Sequence, residues 1–308
     1  MIFPLPLKKG STIGLICPSS AIRPEQKDAC LHVLAEMGFR VKAAPNLTDN
    51  YAGYMAGPGS VRGEWLTRMF ADPEVDAVFC ARGGDASGRV VSYLDLDVIR
   101  RNPKPFVGYS DITTFNLILN QMCGLGTFHG PMVSSNMIDG MDEYTRNSFF
   151  DCLTAPSVFE FTNPEGDELQ VLHEGHASGI VTGGNLALLS GSMGTPYEVD
   201  TKGKIFFLEE VHESGPRLER LVWQMKNAGK FDDCAGILLG QFLECENTQM
   251  PEYDSVACFR DALEGLDKPV LYNVCCGHGA RTGTIPLGAM CEMDTASKRI
   301  RFTMNRIR

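Results

Sequence analysis

The sequence contains no uninterrupted apolar run of about 18 residues, which is the length that a membrane-spanning helix needs. It is also short of basic residues, because 28 lysines and arginines stand against 38 acids and leave a formal net charge of −10. This balance argues against a broad basic surface of the kind that binds nucleic acid or an anionic membrane. We therefore expect no nucleic-acid and no membrane partner, while a local basic pocket stays compatible with the composition.

Motifs that bind cofactors and metals are missing as well. The glycines in residues 57–63 and 83–88 form neither G-x-G-x-x-G nor a P-loop ending in G-K-S/T. The HEGH stretch at 173–176 spaces its histidines by three residues and not by the four that a zinc-protease helix needs. The adjacent cysteines at 275–276 rarely reach one tetrahedral ion together. The sequence predicts no cofactor and no metal.

Cysteine, in contrast, is abundant, with eleven residues in the sequence. They are odd in number, scattered, and mostly inside apolar stretches such as IGLICPSS and AVFCARGG. This pattern is typical of reduced thiols in a protein core. The N-terminal residues place apolar side chains before the lysines, which reverses the order of a secretory signal. These features predict a cytoplasmic location.

The first half of the chain alternates short apolar runs with segments of helical period. Helical spacing is clearest in RPEQKDACLHVLAEMGF, VRGEWLTRMFADPEV and ITTFNLILNQMCG. Strands that alternate with helices predict a parallel sheet covered on both faces. In such sheets the functional loops gather at the carboxyl ends of the strands.

The second half is richer in strand-like runs, which are GIVTGGNLALLSGSMGTP, GKIFFLEEV, AGILLGQFLEC and PLGAMCEMDTASKRIRFTM. One amphipathic helix, SGPRLERLVWQMKNAGKF, interrupts them. A chain of 308 residues is long enough for two domains with separate cores. We predict an α/β domain over residues 1–137, a linker over 138–170 and a β-rich domain over 171–308.

Ser110 and Asp111 follow an apolar run in FVGYSDITTFN, where a strand gives way to a helix. Serine and aspartate are preferred at helix N-caps, so capping is one interpretation. A nucleophile exposed on a sharp strand-to-helix turn is the other. A serine nucleophile needs a base. His278 stands between glycines after the apolar run PVLYNVCC, and it is either that base or a surface turn histidine.

Two adjacent acids and a glycine pair are the remaining candidates for a functional site. Glu209 and Glu210 end the strand-like run KIFFL, and alternation along a strand lets only one of them point into a given site. A carboxylate there could orient an imidazole, or both could be solvated. The glycines of CARGGD can aim backbone amides at an anion, with Arg82 beside them to pair with a carboxylate. An ordinary glycine turn is the alternative.

Several stretches occur together in a familiar order. In chain order they are FCARGGD, NPKPFVGYSDITTFNL, GTFHGPM, GGNLALLSGSMGTPY, IFFLEEV, AGILLGQF and GHGARTGTIPLGA. By these stretches the chain resembles the LD-carboxypeptidase family of serine peptidases, which includes the microcin C immunity peptidases. The resemblance extends from GSTIGLICPSS to the final strand. It implies an N-terminal α/β domain of the class I glutaminase-amidotransferase type, a β-rich C-terminal domain and a homodimer.

The resemblance also implies residue roles. The catalytic Ser-Glu-His triad of the family maps onto Ser110, Glu209 and His278. The oxyanion hole maps onto the backbone amides of Gly84 and Asp111. Glu210 stands where the family usually has aspartate.

The substrate site departs from the family at one position. Asp85 replaces an aromatic residue that many members carry beside the oxyanion loop, so the substrate pocket differs while the triad is kept. An exopeptidase must recognise a free carboxylate, and Arg82 is one candidate for that contact. We therefore expect Arg82 and Asp85 to bind the substrate.

Three functions are compatible with this resemblance. The first is a carboxypeptidase that removes the terminal D-Ala of murein tetrapeptide in cell-wall recycling. The second is a microcin-immunity peptidase that cleaves an aminoacyl-nucleotide amide, for which a stacking aromatic platform is expected. The third is a catalytically silent binding protein, since a fold alone does not establish activity. The matching serine, glutamate and histidine favour an enzyme acting on a small peptide.

Overall fold

The computed structural model describes residues 1–307. In this range the strands are β1 Thr12–Ile16, β2 Arg40–Ala43, β3 Ala77–Cys80, β4 Phe106–Val107, β5 Thr127–His129, β6 Val158–Phe161, β7 Gln170–His173, β8 His176–Asn185, β9 Ile205–Val211, β10 Gly236–Leu243, β11 Val270–Tyr272, β12 Ile285–Leu287, β13 Met290–Asp294 and β14 Arg299–Thr303. The α-helices are α1 Lys27–Glu36, α2 Gly59–Ala71, α3 Leu96–Arg101, α4 Thr113–Cys123, α5 Glu143–Thr154, α6 Leu186–Gly191, α7 Gly215–Asn227, α8 Lys230–Asp233 and α9 Ser255–Ala262. The strands form two sheets.

The first sheet has the strand order β12-β5-β4-β3-β1-β2. Strands β1 to β5 are parallel, which confirms the prediction from the alternating pattern. β12 joins this sheet at its edge, antiparallel to β5, with Ile285 opposite His129. The sequence pattern assigns this segment to the C-terminal domain. It pairs with β5 instead because its three residues are fully buried there, against the open edge of the first sheet.

The second sheet has eight strands in the order β6-β14-β13-β8-β9-β10-β11-β7. The central strands β8, β9, β10 and β11 are parallel to one another. The flanking pairs are antiparallel. The C-terminal half is therefore strand-rich, as the sequence predicts, and its sheet is mixed. Its parallel centre gives it a carboxyl edge of its own, where side chains of neighbouring strands meet.

Two segments differ from the sequence-based prediction. The run GIVTGGNLALLSG is a strand only to Asn185, and α6 follows because the Asn185 side chain caps it, accepting the Leu188 N–H at 3.3 Å. Residues 138–170, predicted as a linker, contain α5 and β6, and β6 pairs with β14 in the second sheet. Loop-forming residues dominate the composition of that segment, and its pairing partner lies far along the chain.

The helices predicted from periodicity are present as α1, α2, α4 and α7. In α7 the buried positions Leu218, Val222 and Met225 share one face, as their spacing predicts. None of the helices in residues 1–307 combines the length and the apolar character needed to cross a bilayer.

All eleven cysteines lie within the described residues, and all are buried and unpaired. Burial raises the pKa of Cys17 to about 12 and that of Cys30 to about 11, so these thiols stay protonated. The prediction of reduced core thiols is confirmed.

The two sheets are joined by a close contact beside the start of α4. The backbone N–H of Asn185, at the end of β8, donates to Thr113 Oγ1 at 3.1 Å. Gly184 has φ +137°, and a Cβ at this position would lie 2.7 Å from Thr113 Oγ1. Only glycine permits this approach without strain. Thr113 is three residues after Ser110, so this contact holds the second sheet close to the strand-to-helix turn.

Candidate active site

Ser110 lies on the turn that connects β4 to α4. Its φ is +64°, a left-handed conformation that is uncommon for a residue with a side chain. It begins a short 3-10 helix, Ser110–Ile112, that leads into α4. Such strain at a single residue is typical of functional positions, because it is retained only where the surroundings enforce it. The N-cap residues of this 3-10 helix and of α4 are Tyr109 and Ile112, so Ser110 does not serve as the N-cap of either. The turn leaves the alternative interpretation, an exposed serine between strand and helix.

The Asp111 side chain anchors the glycine loop that follows β3. It is 2% exposed. Its Oδ2 accepts the backbone N–H groups of Ala86 and Ser87, both at 2.8 Å, and the hydroxyl of Ser19. Its Oδ1 accepts the Ser87 hydroxyl at 2.6 Å. Burial raises the pKa of Asp111, while these four hydrogen bonds oppose the shift by favouring the carboxylate.

This network fixes the loop from Arg82 to Ser87 against the Ser110 turn. Gly83 touches the serine directly: a Cβ there would lie 2.9 Å from Ser110 Cβ and 3.1 Å from its Oγ. Gly84 has φ +129°, and a Cβ would lie 1.9 Å from the Ser20 hydroxyl. Within residues 1–307 the backbone N–H groups of Gly84 and Asp111 donate to no protein acceptor. Neither group is therefore consumed by a hydrogen bond within the described residues, which an anion-binding amide requires.

His278 and Glu209 form a hydrogen-bonded pair, with His278 Nδ1 2.7 Å from Glu209 Oε2. Glu209, near the end of β9, is fully buried, whereas the His278 side chain keeps 15% of its exposure. The pair is close because Gly277 has φ +146° and no side chain: a Cβ there would lie 3.1 Å from Glu209 Oε2. Nδ1 is thus held by the carboxylate, which leaves Nε2 as the ring nitrogen able to exchange a proton with a substrate.

Glu210, the neighbour of Glu209 on β9, forms its hydrogen bonds with groups other than His278. Its carboxylate accepts Asn185 Nδ2 at 2.8 Å, Ala187 N–H at 2.7 Å and Val211 N–H at 2.8 Å. Burial, with a smaller contribution from the nearby charge of Glu209, raises the pKa of Glu210 to about 6. Of the two acids left open by the sequence, Glu209 is the one that contacts the histidine.

Aromatic rings surround the imidazole of His278. Tyr109 meets it edge to face with ring centroids 4.7 Å apart. Behind Tyr109 lies His129, whose ring centroid is 5.6 Å from that of Tyr109 and 5.1 Å from that of Phe207. Neither nitrogen of His129 has a hydrogen-bond partner among the described residues, and its side chain is 1% exposed. Burial lowers the pKa of His129 to about 4, so this histidine is neutral near pH 7.

His129 makes stability depend on pH. Its folded pKa of about 4 lies below the ordinary value of 6.5, so between these values the unfolded chain binds more protons. The free energy of unfolding should fall as pH drops through this window, by about 3 kcal/mol for His129 alone. His129→Gln, similar in volume and not titratable here, should lose that component. Urea unfolding at pH 7, 5 and 4 measures it.

The comparison with His129→Gln is needed because Glu210 acts in the opposite direction. Its folded pKa is raised to about 6, so its contribution to stability falls as pH rises. The difference between wild type and variant isolates the histidine. A difference that does not change between pH 7 and 4 would contradict the neutral, buried state of His129.

Gln241 is a site residue that the sequence analysis does not single out. In the β9–β10 pairing, Leu239 lies opposite Leu208 and Phe242 opposite Glu210, so two residues of β10 face Glu209. Such a β-bulge redirects side chains and is common beside active sites. Gln241 Oε1 accepts the Gly279 N–H at 2.9 Å, and its Nε2 donates to the Arg281 carbonyl at 2.9 Å. The bulge thus aims one amide at both sides of the His278 loop.

Gln241→Ala is expected to lower kcat about 10- to 100-fold with little change in KM, because a loosened His278 loop misplaces the base. Steady-state kinetics with a peptide substrate measures this. Gln170→Ala is the matched control, since Gln170 lines one cavity together with Gln241 but its side-chain amide donates to the Glu168 carbonyl and not to that loop. Equal losses of kcat in both variants would show that Gln241 does not position the histidine.

Ser110 and His278 line one cleft of about 430 Å³. Arg82, Gly84 and Asp85 line it too, whereas the predicted site residues Glu209 and Asp111 do not. The remaining lining residues are Gly83, Tyr109, Met132, Ser135, Asn185, Ala187, Leu188, Glu210, Val211, His212 and Glu213. Ser110 and His278 share no direct hydrogen bond, which is common before a substrate binds. In residues 1–307 no group of three or more histidine, cysteine or acidic side chains is arranged to hold a metal ion.

Comparison with known proteins points to one family. The model of the LD-carboxypeptidase N-terminal domain matches residues 13–130, and the model of the LD-carboxypeptidase C-terminal domain matches residues 178–293. The serine turn lies in the first range, and Glu209 and His278 lie in the second. The two models together cover more than half of the chain.

Individual proteins agree with these models. A probable murein peptide carboxypeptidase of Bacillus subtilis (strain 168) is 38% identical over 96% of this chain and 92% of its own length. A murein tetrapeptide carboxypeptidase of Pseudomonas aeruginosa is 28% identical over 92% of each chain. The structure of MccF, the microcin C7 self-immunity protein of Escherichia coli, in complex with glutamyl sulfamoyl guanosine superposes with a TM-score of 0.91 at 26% identity over 98% of each chain. This chain therefore belongs to the LD-carboxypeptidase family of serine-type peptidases.

Proposed function

We propose that this protein is a serine LD-carboxypeptidase that hydrolyses the L,D-peptide bond of murein tetrapeptide and releases the terminal D-Ala. The observation that carries the proposal is one cleft holding a strained serine and a histidine bonded to a buried glutamate. The family membership and the similarity to proteins named murein carboxypeptidases support the substrate. The function also fits cell-wall recycling in the cytoplasm.

In the first step of the proposed mechanism, His278 Nε2 takes the proton of Ser110 as Oγ attacks the scissile carbonyl carbon. Glu209 holds Nδ1–H, which fixes the tautomer and stabilises the imidazolium that forms. The carbonyl oxygen becomes an oxyanion and accepts hydrogen bonds from the N–H groups of Gly84 and Asp111. Removing one such donor typically lowers the rate about 100- to 1,000-fold.

Collapse of the tetrahedral intermediate breaks the peptide C–N bond. His278 gives its proton to the leaving nitrogen, and free D-Ala departs while Ser110 carries the acyl group. A water molecule, deprotonated by His278, then attacks the ester carbonyl. Breaking the ester bond returns the proton to Ser110 and releases the tripeptide.

We infer further that the enzyme is a cytoplasmic homodimer and that its N-terminal domain is of the class I glutaminase-amidotransferase type. We also propose the division into domains 1–137 and 171–308, with residues 138–170, which contain α5 and β6, as the segment that links them. The family resemblance supports the dimer and the domain type, and the eleven buried thiols support a reducing compartment. In this division the nucleophile belongs to one domain and Glu209 and His278 to the other.

The alternative function is cleavage of an aminoacyl-nucleotide amide, as in microcin immunity. One observation favours it: the close superposition on MccF in complex with a sulfamoyl guanosine ligand. A nucleotide base needs an aromatic surface on which to stack. In the described part of the cleft, Tyr109 is the aromatic side chain apart from histidines, and it is buried against His278. The murein peptide is therefore the first proposal.

Mass spectrometry distinguishes the two functions. Wild type is incubated with L-Ala-γ-D-Glu-meso-diaminopimelyl-D-Ala and, separately, with an aspartyl or glutamyl sulfamoyl nucleoside, each beside Ser110→Ala. Loss of one D-Ala from the tetrapeptide by the wild type alone is the expected result. Cleavage of the sulfamoyl compound without any release of D-Ala would replace the first proposal by the second.

A further inference from the structure

A second cavity adjoins the catalytic cleft on the side of the glycine loop. It has a volume of about 380 Å³ and shares Arg82 and Asp85 with the cleft that holds Ser110. Its other walls come from the loop after β1 and from the loop between β2 and α2, including Arg23, Asp49 and Tyr54. A substrate bound at Ser110 can therefore extend past Arg82 and Asp85 into this space.

The charged groups of the second cavity are largely unpaired. Within residues 1–307 neither Asp49 nor Asp85 forms an ion pair, and both are exposed. Arg82 has no carboxylate partner there, while Arg23 is paired with Glu25 at 3.4 Å. One guanidinium and two carboxylates thus remain to interact with a ligand. The two signs together match a group that carries both an ammonium and a carboxylate.

Arg82 faces this second cavity. Its Nη1 donates to the Ala21 carbonyl at 3.2 Å, and Ala21 lines the second cavity but not the catalytic cleft. The contact holds one edge of the guanidinium against the cavity wall and leaves its remaining N–H groups available to a carboxylate. Asp85 lies at the junction of the two cavities, and Asp49 lies only in the second.

We propose that the second cavity binds a zwitterionic α-amino acid group at the end of the side chain that precedes the scissile bond. Arg82 binds its carboxylate, and Asp49 and Asp85 bind its ammonium. A meso-diaminopimelyl residue carries such a group, whereas a lysyl residue lacks the carboxylate. The inference rests on the proposed function and specifies its substrate. It assigns Arg82 to a side-chain carboxylate and not to the terminal carboxylate of the peptide.

The carboxylates of Asp49 and Asp85 also disfavour a nucleotide in the second cavity. A nucleoside phosphate in the second cavity would bring its negative charge towards Asp49 and Asp85, and like charges that close repel one another. Tyr54 is 43% exposed at the rim and offers a flat face. That face alone does not offset two unpaired carboxylates beside an anionic ligand.

The test uses three tetrapeptides that differ only in the third residue, which is meso-diaminopimelate, L-lysine or L-2-aminopimelate. The last retains the distal carboxylate and lacks the distal amine. Wild type should cleave the diaminopimelyl peptide with a kcat/KM about 10- to 100-fold above that for each analogue, as expected for losing one charge-assisted contact. Equal kcat/KM values for the three peptides would overturn the inference while leaving the carboxypeptidase function in place.

Two variants assign the contacts. Asp49→Asn, which leaves Asp85 in place, should reduce the preference over the aminopimelyl peptide and keep the preference over the lysyl peptide. Arg82→Gln should instead remove the preference over the lysyl peptide and keep the preference over the aminopimelyl peptide. Asp28→Asn, an exposed acid on α1 outside both cavities, is the matched control and should change neither preference. If Asp49→Asn lowers kcat/KM for all three peptides by one common factor, Asp49 does not recognise the ammonium.

Calorimetric titration of Ser110→Ala with the same peptides separates the two proposals. Tighter binding of the diaminopimelyl peptide that depends on Asp49, combined with no release of D-Ala by wild type, would support the second cavity and overturn the catalytic proposal. Release of D-Ala with no difference in binding among the peptides would support the catalytic proposal and overturn the assignment of the second cavity. Neither binding nor cleavage of any peptide would overturn both.

Discussion

Replacing Ser110 by alanine is expected to lower kcat for D-Ala release by about 10⁵- to 10⁶-fold, the size seen when a triad loses its serine. The substrate should still bind with nearly unchanged affinity, because the change removes one oxygen atom and leaves the rest of the cleft in place. The fold should also persist, since Ser110 is the N-cap of neither the 3-10 helix nor α4. Single-turnover kinetics by mass spectrometry and calorimetric binding measure the two parts separately.

Ser135→Ala is the matched control, because Ser135 lines the same cleft without the left-handed backbone of Ser110. It should keep most of the wild-type kcat. Wild-type turnover by Ser110→Ala would show that another group is the nucleophile. An equal loss of kcat in Ser110→Ala and Ser135→Ala would show that the loss does not identify Ser110 as the nucleophile.

A fluorophosphonate probe distinguishes an enzyme from a silent binding protein. The probe reacts only with a serine activated by a base, so wild type should be labelled at Ser110, and His278→Ala should be labelled far more slowly. Folded wild-type protein that takes up no label would favour a binding protein.

Glu209→Gln is expected to lower kcat by about 10⁴-fold. The carboxylate accepts Nδ1–H of His278 at 2.7 Å, and an amide can present N–H at this contact instead. The imidazole would then hold the wrong tautomer, with its proton on the nitrogen that should receive the serine proton. The change keeps the volume of a fully buried side chain, so the loss should appear in kcat and not in the thermal midpoint of unfolding.

Glu209→Asp is the informative comparison. It keeps the charge and shortens the side chain by one methylene, so the contact with His278 is stretched but its chemistry is unchanged. The expected order of kcat is wild type, then Glu209→Asp, then Glu209→Gln. Equal activity of the glutamine variant and the wild type would remove Glu209 from the proposed triad.

The residues of the candidate site were predictable where local sequence carries the geometry. Ser110 stands between an apolar strand and an apolar helix, and His278 stands between two glycines after a strand. Those patterns predict tight turns at the carboxyl ends of strands, which is where both residues lie. The family resemblance then selected Glu209 from the pair of acids, a choice that alternation alone left open.

Other features depend on partners far along the chain. Asp111 could be expected to contribute its backbone, but its carboxylate bonds Ser19, Ala86 and Ser87 from two other loops. Gln241 reaches the His278 loop through a bulge, and one extra residue in a strand leaves no mark in a hydrophobic pattern. The edge strand β12 is a three-residue run whose choice of sheet depends on which edge is open.

By itself the sequence determined the alternation of strands and helices, the reduced thiols and the family, because these follow from local periodicity and short motifs. The tertiary structure alone decided how Asp111 holds the glycine loop, how Gln241 reaches the His278 loop, and how Arg82 and Asp49 come to share a cavity. The physical reason is that the first set depends on neighbours along the chain. The second depends on hydrogen bonds and close packing between segments that meet only after both sheets have assembled.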